Sequence, residues 1–256
     1  VRAKAFRANY QDSIEASRTY YLRTAIASSH ATNTYYDDFT STFSTSTTAA
    51  YVLYTVDGSN PTHDVSGNPT GTTQKSIGTS IGIWIDKTTT VKAIGWKGGS
   101  FLDSNILTRT YTMRVSAPVF SLASGTYHNN TSTTITTTTT CAIILYTTDG
   151  SDPTHDASGN PTGTTLLYSG AITIDKTMTI KAVGWKNGYN DSAIVPQTYT
   201  MVALDPTFAP AVGGPYPGPF KVTLASGTTD ATIYYTTDRS DPTTLSNLYP
   251  IAGIDI

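Results

Sequence analysis

The chain has 256 residues, of which only 13% are charged, and a net charge of −2, against roughly 25% charged content in an ordinary soluble protein. With no basic patch or charge run, it offers little to a nucleic-acid backbone or an anionic membrane surface, and neither is expected as a partner. No apolar run approaches the roughly 18 residues that would insert in a bilayer, Glu15 is the only glutamate, and the polar surface is made mainly by Thr, Ser, Asn and Gly, which suit strands and turns.

Residues 1–24, VRAKAFRANYQDSIEASRTYYLRT, read as the closing strands of a repeat. They align with IKAVGWKNGYNDSAIVPQTYT at 180–200 and VKAIGWKGGSFLDSNILTRTYT at 91–112. Val1 falls on Ile180, Asp12 and Ser13 on Asp191 and Ser192, and Tyr20 on Tyr199. A full repeat follows at 25–115. Its Thr/Ser-rich opening leads to YVLYT, expected as a strand entering the aspartate turn YTVDGSNPTHDVSGNPTGTT (54–73), then IGIWI, TTVKAIGW and a closing ILTRTYTMRV strand. A second full repeat, 116–203, keeps the same succession, its turn reading YTTDGSDPTHDASGNPTGTT (146–165). Its Thr136–Thr140 run is expected as an exposed strand, and Cys141, the single cysteine, as a small core or half-buried residue. The third, 204–256, shortens the turn to YTTDRSDPT (235–243) and stops after IAGIDI.

Short β-branched and aromatic runs punctuated by Gly, Pro, Asn and Asp predict strands throughout, and no stretch holds a helical apolar period over three turns. The period of roughly 90 residues is too long for a propeller blade or solenoid rung and suits a small complete β-sandwich. The expected fold is all-β: tandem immunoglobulin-like or fibronectin-III-like sandwiches.

The succession GTY, YTTDGSDPT, LYSG, TIKAVGWKNGYNDS and TYT resembles the chitobiase/β-hexosaminidase C-terminal repeat family, closely related to fibronectin-III-associated modules. The resemblance implies an immunoglobulin-like sandwich, usually extracellular and bacterial, appended to carbohydrate-active enzymes or strung in arrays on surface proteins. It implies no catalytic residues. The third repeat departs from the pattern by lacking the HDxSGNPTGT insertion and by carrying Arg239 in place of the turn glycine.

Crowded carboxylates at Asp149, Asp152 and Asp156, echoed at Asp57 and Asp64, suggest a calcium loop, since hard cations take six to eight oxygens. Asp and Asn beside Gly and Pro also close Asx-turns, and turn scaffolding is the preferred reading, with no metal expected. His63 and His155 occupy the same loop position and read as surface histidines. No Ser-His-Asp or Cys-His arrangement is legible, the single Glu and the repetition of each candidate Asp across the repeats argue against paired glycosidase carboxylates, and neither catalysis nor a cofactor is expected. Trp96, Trp185 and Phe6 are equivalent and read as packing positions. Trp84 differs: alternation in IGIWIDK points it away from Ile83 and Ile85, outward, where it could stack on a sugar or anchor a protein. Tyr35 and Tyr36 are weaker candidates of the same kind. Asn129, Asn130 and Asn190 match the N-x-S/T glycosylation pattern.

The broken third repeat and the extra closing strands at residues 1–24 are nearly complementary. A window of a longer array, a head-to-tail polymer in which residues 1–24 of one copy complete residues 204–256 of the next, and a ring closed by that same contact all fit. Val1, Ala3, Ala5, Ile254 and Ile256 are then the inter-subunit strand candidates. The expected role is non-catalytic: a repeat protein of an extracellular bacterial surface fibre, sheath or adhesin, its partners being further repeats or copies of itself. The alternative is a carbohydrate-binding or spacer module of a glycan-active enzyme, with glycans as partners.

Overall fold

The computed structural model of the chain describes residues 1–210 and 215–256; residues 211–214, in the third repeat, lie outside it. The described residues form strands and turns with no helix, as the β-branched runs dictate. They fall into two compact units: residues 1–116 with 138–142 and 185–192, and residues 117–137 with 143–184 and 193–256.

In the first unit a five-stranded sheet runs in the order Gln74–Lys75, Tyr51–Thr55, Thr89–Trp96, Leu107–Met113, Asn33–Tyr35. Only the last pairing is parallel. A three-stranded sheet of Ser80–Ile85, Phe39–Ser44 and Ala27–Ser28 supplies Phe43, Ile83 and Ile85 to the same core. Thr89–Trp96 is the pivotal strand. One face sends Val91 and Ala93, both fully buried, into the core beside Tyr111 and Met113. Its opposite face carries Lys92, Ile94 and Trp96, and here the aspartate turn and its insertion lie against it: Lys92 Nζ donates to Asn60 Oδ1 of the turn at 2.9 Å, and the Trp96 indole lies on Gly67 of the insertion. The buried Tyr111 hydroxyl is 2.8 Å from Ser41 Oγ, so the core's largest polar group is satisfied.

The second unit repeats the plan. Its five-stranded sheet is ordered Gly125–Tyr127, Val195–Met201, Met178–Trp185, Ile143–Thr147, Leu166–Leu167. Ile180, Ala182 and Tyr199, all fully buried, form the middle of its core with Ile135 and Ile174. The Tyr199 hydroxyl donates to the Leu122 carbonyl at 3.0 Å.

Each repeat enters its aspartate turn in the same way. Thr55, Thr147 and Thr236 donate their hydroxyls to the carbonyls of Ser59, Ser151 and Ser240, while Asp57, Asp149 and Asp238 accept from the amides of those serines. The residue between, Gly58 or Gly150, has φ near +80°. Arg239 adopts the same left-handed conformation, φ +72°, without a glycine's freedom.

Three expectations need correcting. The Thr-rich run is a strand only to Thr136; Thr139 is buried in a turn, where its hydroxyl accepts the Ser116 amide at 2.8 Å. Cys141 is exposed and stands at φ +58°, because that turn swings its side chain away from the core. Phe6 is 71% exposed and packs into no core.

At Gly67, φ is +77° and a Cβ would stand 2.3 Å from the Trp96 ring, whereas nothing lies within 4 Å of a Cβ at Gly78. Gly67→Ala is expected to destabilise the first unit by about 2 kcal/mol and Gly78→Ala by less than about 0.5 kcal/mol, as read from urea midpoints followed by Trp fluorescence.

Candidate functional site

Every residue from Val1 to Arg23 is exposed. Yet the segment is ordered as a hairpin: Arg2 faces Ser17, Ala3 faces Ala16, and Val1 and Arg18 exchange backbone bonds of 2.7 and 2.9 Å. This is the register of the second repeat, where Lys181 faces Pro196, Ala182 faces Val195 and Ile180 faces Gln197. Ion pairs Arg2–Glu15 and Lys4–Asp12 brace the hairpin, and Thr24 tethers it to the first unit by donating its hydroxyl to the Gly95 carbonyl. Val1 is 81% and Tyr20 75% exposed, although their counterparts Ile180 and Tyr199 are fully buried. The hairpin therefore exposes side chains whose counterparts in the second repeat lie in a sandwich core. Burying one such side chain is worth about 1.5–3 kcal/mol.

An open apolar surface lies in the second unit. The described residues of 204–256 form a sheet of Thr207–Ala209, Lys221–Ala225 and Ile254–Asp255, and a separate pair of Tyr234–Tyr235 with Asn247–Leu248. Between them opens an apolar cavity of about 520 Å³ lined by Phe208, Val222, Leu224, Ile233, Tyr235 and Ile254. Phe120, Ile135, Ile144, Tyr146 and Ile172 hold most of those positions in the complete core. There Ile180, Ala182 and Tyr199 occupy the middle. Tyr234–Tyr235 also keeps one edge without a strand among the described residues, where the equivalent Ile143–Thr147 pairs with Met178–Trp185. Of the strand candidates, Val1, Ala3, Ala5 and Ile256 are exposed and Ile254 is half-buried at the cavity wall.

The other candidates do not gather into one site. Asp149 takes the Ser151 amide and hydroxyl, Asp152 pairs with Lys181 at 2.7 Å, and Asp156 takes the amides of Ser158 and Asn160 and the Asn160 side chain. Each carboxylate thus closes its own turn or ion pair. His63 departs from the surface reading. Its Nε2 is 2.8 Å from Asp103 Oδ2, its Nδ1 2.7 Å from the Asp64 carbonyl, and its ring meets Trp96 edge-on. It clamps the insertion to the loop after the pivotal strand, a role the distant Asp103 hid from sequence reading. Tyr35 packs on Phe39 and Tyr111 and donates its hydroxyl to the Ala31 carbonyl. Trp84 is 59% exposed, opposite Thr40 on an edge strand, and Tyr36 is 49% exposed. Asn129 is engaged on both sides of its amide, by Thr229 N and Gly227 O.

These contacts set the titration behaviour. Hydrogen bonds from the Ser59 hydroxyl and amide hold Asp57 down to about 2. Its contribution to stability is therefore present above the ordinary carboxylate pKa of about 3.9 and lost as pH falls through its folded value. Burial opposes protonation of His63, but Asp103 and the Asp64 carbonyl outweigh it and raise its pKa. That stabilisation is present below about 6.5 and lost as pH rises through the folded value. NMR titration should place His63 above 6.5, and Asp103→Asn should lower it; Ser59→Ala should bring Asp57 back toward 3.9.

Residues 122–197 and 211–255 match the chitobiase/beta-hexosaminidase C-terminal domain, and residues 42–111 the Fn3-associated domain. Among solved structures the chain is similar to the fibronectin(III)-like modules of Clostridium thermocellum CbhA, at 9% identity and a TM-score of 0.23, over 70% of this chain and 93% of that one. No curated protein sequence matches it. Repeat by repeat, the chain therefore matches the chitobiase/β-hexosaminidase C-terminal and fibronectin-III-associated family models, and its fold is that of all-β, immunoglobulin-like sandwiches.

Proposed function

We propose that this chain is a non-catalytic structural repeat protein of an extracellular bacterial fibre, sheath or adhesin, and that its copies join head to tail by strand complementation. In that joint the hairpin of residues 1–24 enters the open sandwich of residues 204–256 in the next copy. The carrying observation is the match between the two surfaces. The hairpin keeps the register of a closing strand pair while exposing Val1, Ala3 and Tyr20, and the cavity of about 520 Å³ is bounded by the residues those side chains would meet.

Transferring the register of Thr89–Trp96 on Tyr51–Thr55 sets Arg2 opposite Thr236, Ala3 opposite Tyr235 and Lys4 opposite Tyr234. Charge follows the same alignment. Arg2 stands where Lys181 pairs with Asp152, and Asp241 stands where Asp152 does. Main-chain bonds along an open edge supply affinity and the alternate side chains supply register. A heterologous contact of this kind that does not close yields a filament. In the second unit the strand and its partner also bury apolar surface, so complementation would be worth several kcal/mol at about 25 cal/mol per Å².

The test is sedimentation velocity with electron microscopy of the purified chain. Concentration-dependent polymers are expected. Ala3→Asp, which places a charge where Ala93 and Ala182 are fully buried, should leave only monomers; polymers unaffected by Ala3→Asp would contradict the joint.

The 59% exposure of Trp84 supports a second reading, a carbohydrate-binding or spacer module attached to a glycan-active enzyme. A Trp84-dependent signal on a glycan array, lost in Trp84→Ala without loss of fold, would favour it.

A further inference from the structure

A second pair of surfaces matches, separate from the strands. In the first unit, residues 186–190 form a turn in which the Tyr189 amide donates to the Lys186 carbonyl at 3.0 Å and Gly188 has φ +82°. The Lys186 ammonium lies 4.4 Å from the Tyr189 ring centroid. This turn sits in a seat. The Tyr189 hydroxyl and Lys186 Nζ both donate to Asp38 Oδ1, and the Gly188 carbonyl accepts the Thr88 amide at 3.0 Å. Asn190 accepts from Val115 and donates to Met113 through its backbone. The seat's wall is fixed by Asp37 accepting the Thr140 amide at 2.8 Å and by the Ser116 amide bonding Thr139 Oγ1 at 2.8 Å. Tyr189 is only 8% exposed.

The second unit builds the same seat from the equivalent residues. Asn129 accepts the Thr229 amide at 2.7 Å, and the Leu204 amide bonds Thr228 Oγ1 at 2.8 Å. Asp230 has φ +58°, the value at Cys141. Asn130 replaces Asp38, and Asp175 replaces Asp86. What the wall encloses is a polar cavity of about 290 Å³ lined by Asn129, Asn130, Asp175, Met201, Thr229 and Asp230.

The matching turn lies on the exposed hairpin. Residues 7–10 align with 186–189, and the Tyr10 amide donates to the Arg7 carbonyl at 3.1 Å. Asn9 takes the place of Gly188 with φ +63°, and the Arg7 guanidinium lies 4.3 Å from the Tyr10 ring centroid. A non-glycine residue held left-handed, and a cation already stacked on its tyrosine, give an exposed segment the shape its counterpart has when seated. Tyr10 is 63% exposed.

Charge complements shape. The first seat offers Asp38 to Lys186; the second substitutes a neutral amide at that point and gains Asp230 where the first has Cys141. Two carboxylates, Asp175 and Asp230, then line the cavity. Arginine, with five donors in a planar fork, suits split acceptors better than lysine's point charge.

We propose that the Asn129–Asn130–Asp175–Asp230 seat receives the Arg7–Tyr10 turn of a second copy of this chain, with Arg7 facing the two carboxylates and the Tyr10 hydroxyl bonding Asn130. The proposal rests on the head-to-tail reading, because the hairpin that would complete the open sandwich carries this turn at its tip, as Met178–Trp185 is followed directly by 186–190. It adds a polar lock to an apolar joint: the strands supply burial, and the turn decides which end of which partner is accepted.

The test measures self-association of the full chain by sedimentation velocity for wild type, Ala3→Asp, Arg7→Glu, Tyr10→Ala, Asp175→Arg and the Arg7→Glu/Asp175→Arg pair. Arg7 and Tyr10 are exposed, so their variants should retain wild-type circular dichroism. Arg7→Glu, Asp175→Arg and Tyr10→Ala are expected to weaken association about tenfold or more, and the charge-swapped pair to recover a substantial part of that loss. If Ala3→Asp abolishes association while the turn and seat variants leave it unchanged, the strand joint stands and the seat proposal is overturned. Should Ala3→Asp have no effect, or wild type remain monomeric at every concentration, the head-to-tail reading falls and the seat goes with it.

Discussion

The pivotal constraint is that one strand, Thr89–Trp96 or Met178–Trp185, is hydrogen-bonded on both edges and buried on one face and nearly so on the other. Remove that strand and its closing partner and two things are left over: an unpaired edge and an open apolar core. Residues 204–256 present both, and residues 1–24 present the removed pair. A sandwich cannot leave such a surface in water without cost, since unpaired edges are templates for pairing and exposed aliphatic patches draw partners. The proposed head-to-tail joint rests on that imbalance.

Differences between repeats support the same arrangement. In complete repeats the outer face of the pivotal strand buries Ile94 or Val183, with Leu53 and Leu145 also fully buried, and in the first the aspartate-turn insertion touches that face at Trp96. The third repeat has no such insertion, and its strand carries Tyr234 where the others have Leu. The hairpin carries Lys4 where the others have Ile or Val. A lysine would be costly under a covering loop and is tolerated where none exists. In the proposed joint these two departures, Lys4 and Tyr234, would face each other.

Much of this was legible in the sequence. Period, strand succession and the outward Trp84 followed from alternation and from comparing copies, because side-chain periodicity and turn chemistry are local properties. The register of the hairpin was legible too, since Val1 to Tyr20 could be laid on Ile180 to Tyr199 without a gap. What escaped was set by long-range contact. The clamp of His63 on Asp103 spans 40 residues, and the turn at Thr139 and Cys141 is shaped by Ser116 and Asp37. The seat of Tyr189 depends on Asp38, which no spacing rule connects to it. Local patterns fix elements; which side chains meet across them is decided by packing.

The central claim is that the hairpin of one copy becomes a strand pair in the sandwich of another, and amide hydrogen exchange at Tyr234, Tyr235 and Thr236 reports on it most directly. As concentration rises, these amides should gain protection in step with the amides of Arg2 to Lys4, and Ala3→Asp should abolish both changes. Exchange at Tyr234 to Thr236 that stays fast and independent of concentration, under conditions where the chain does self-associate, would contradict it.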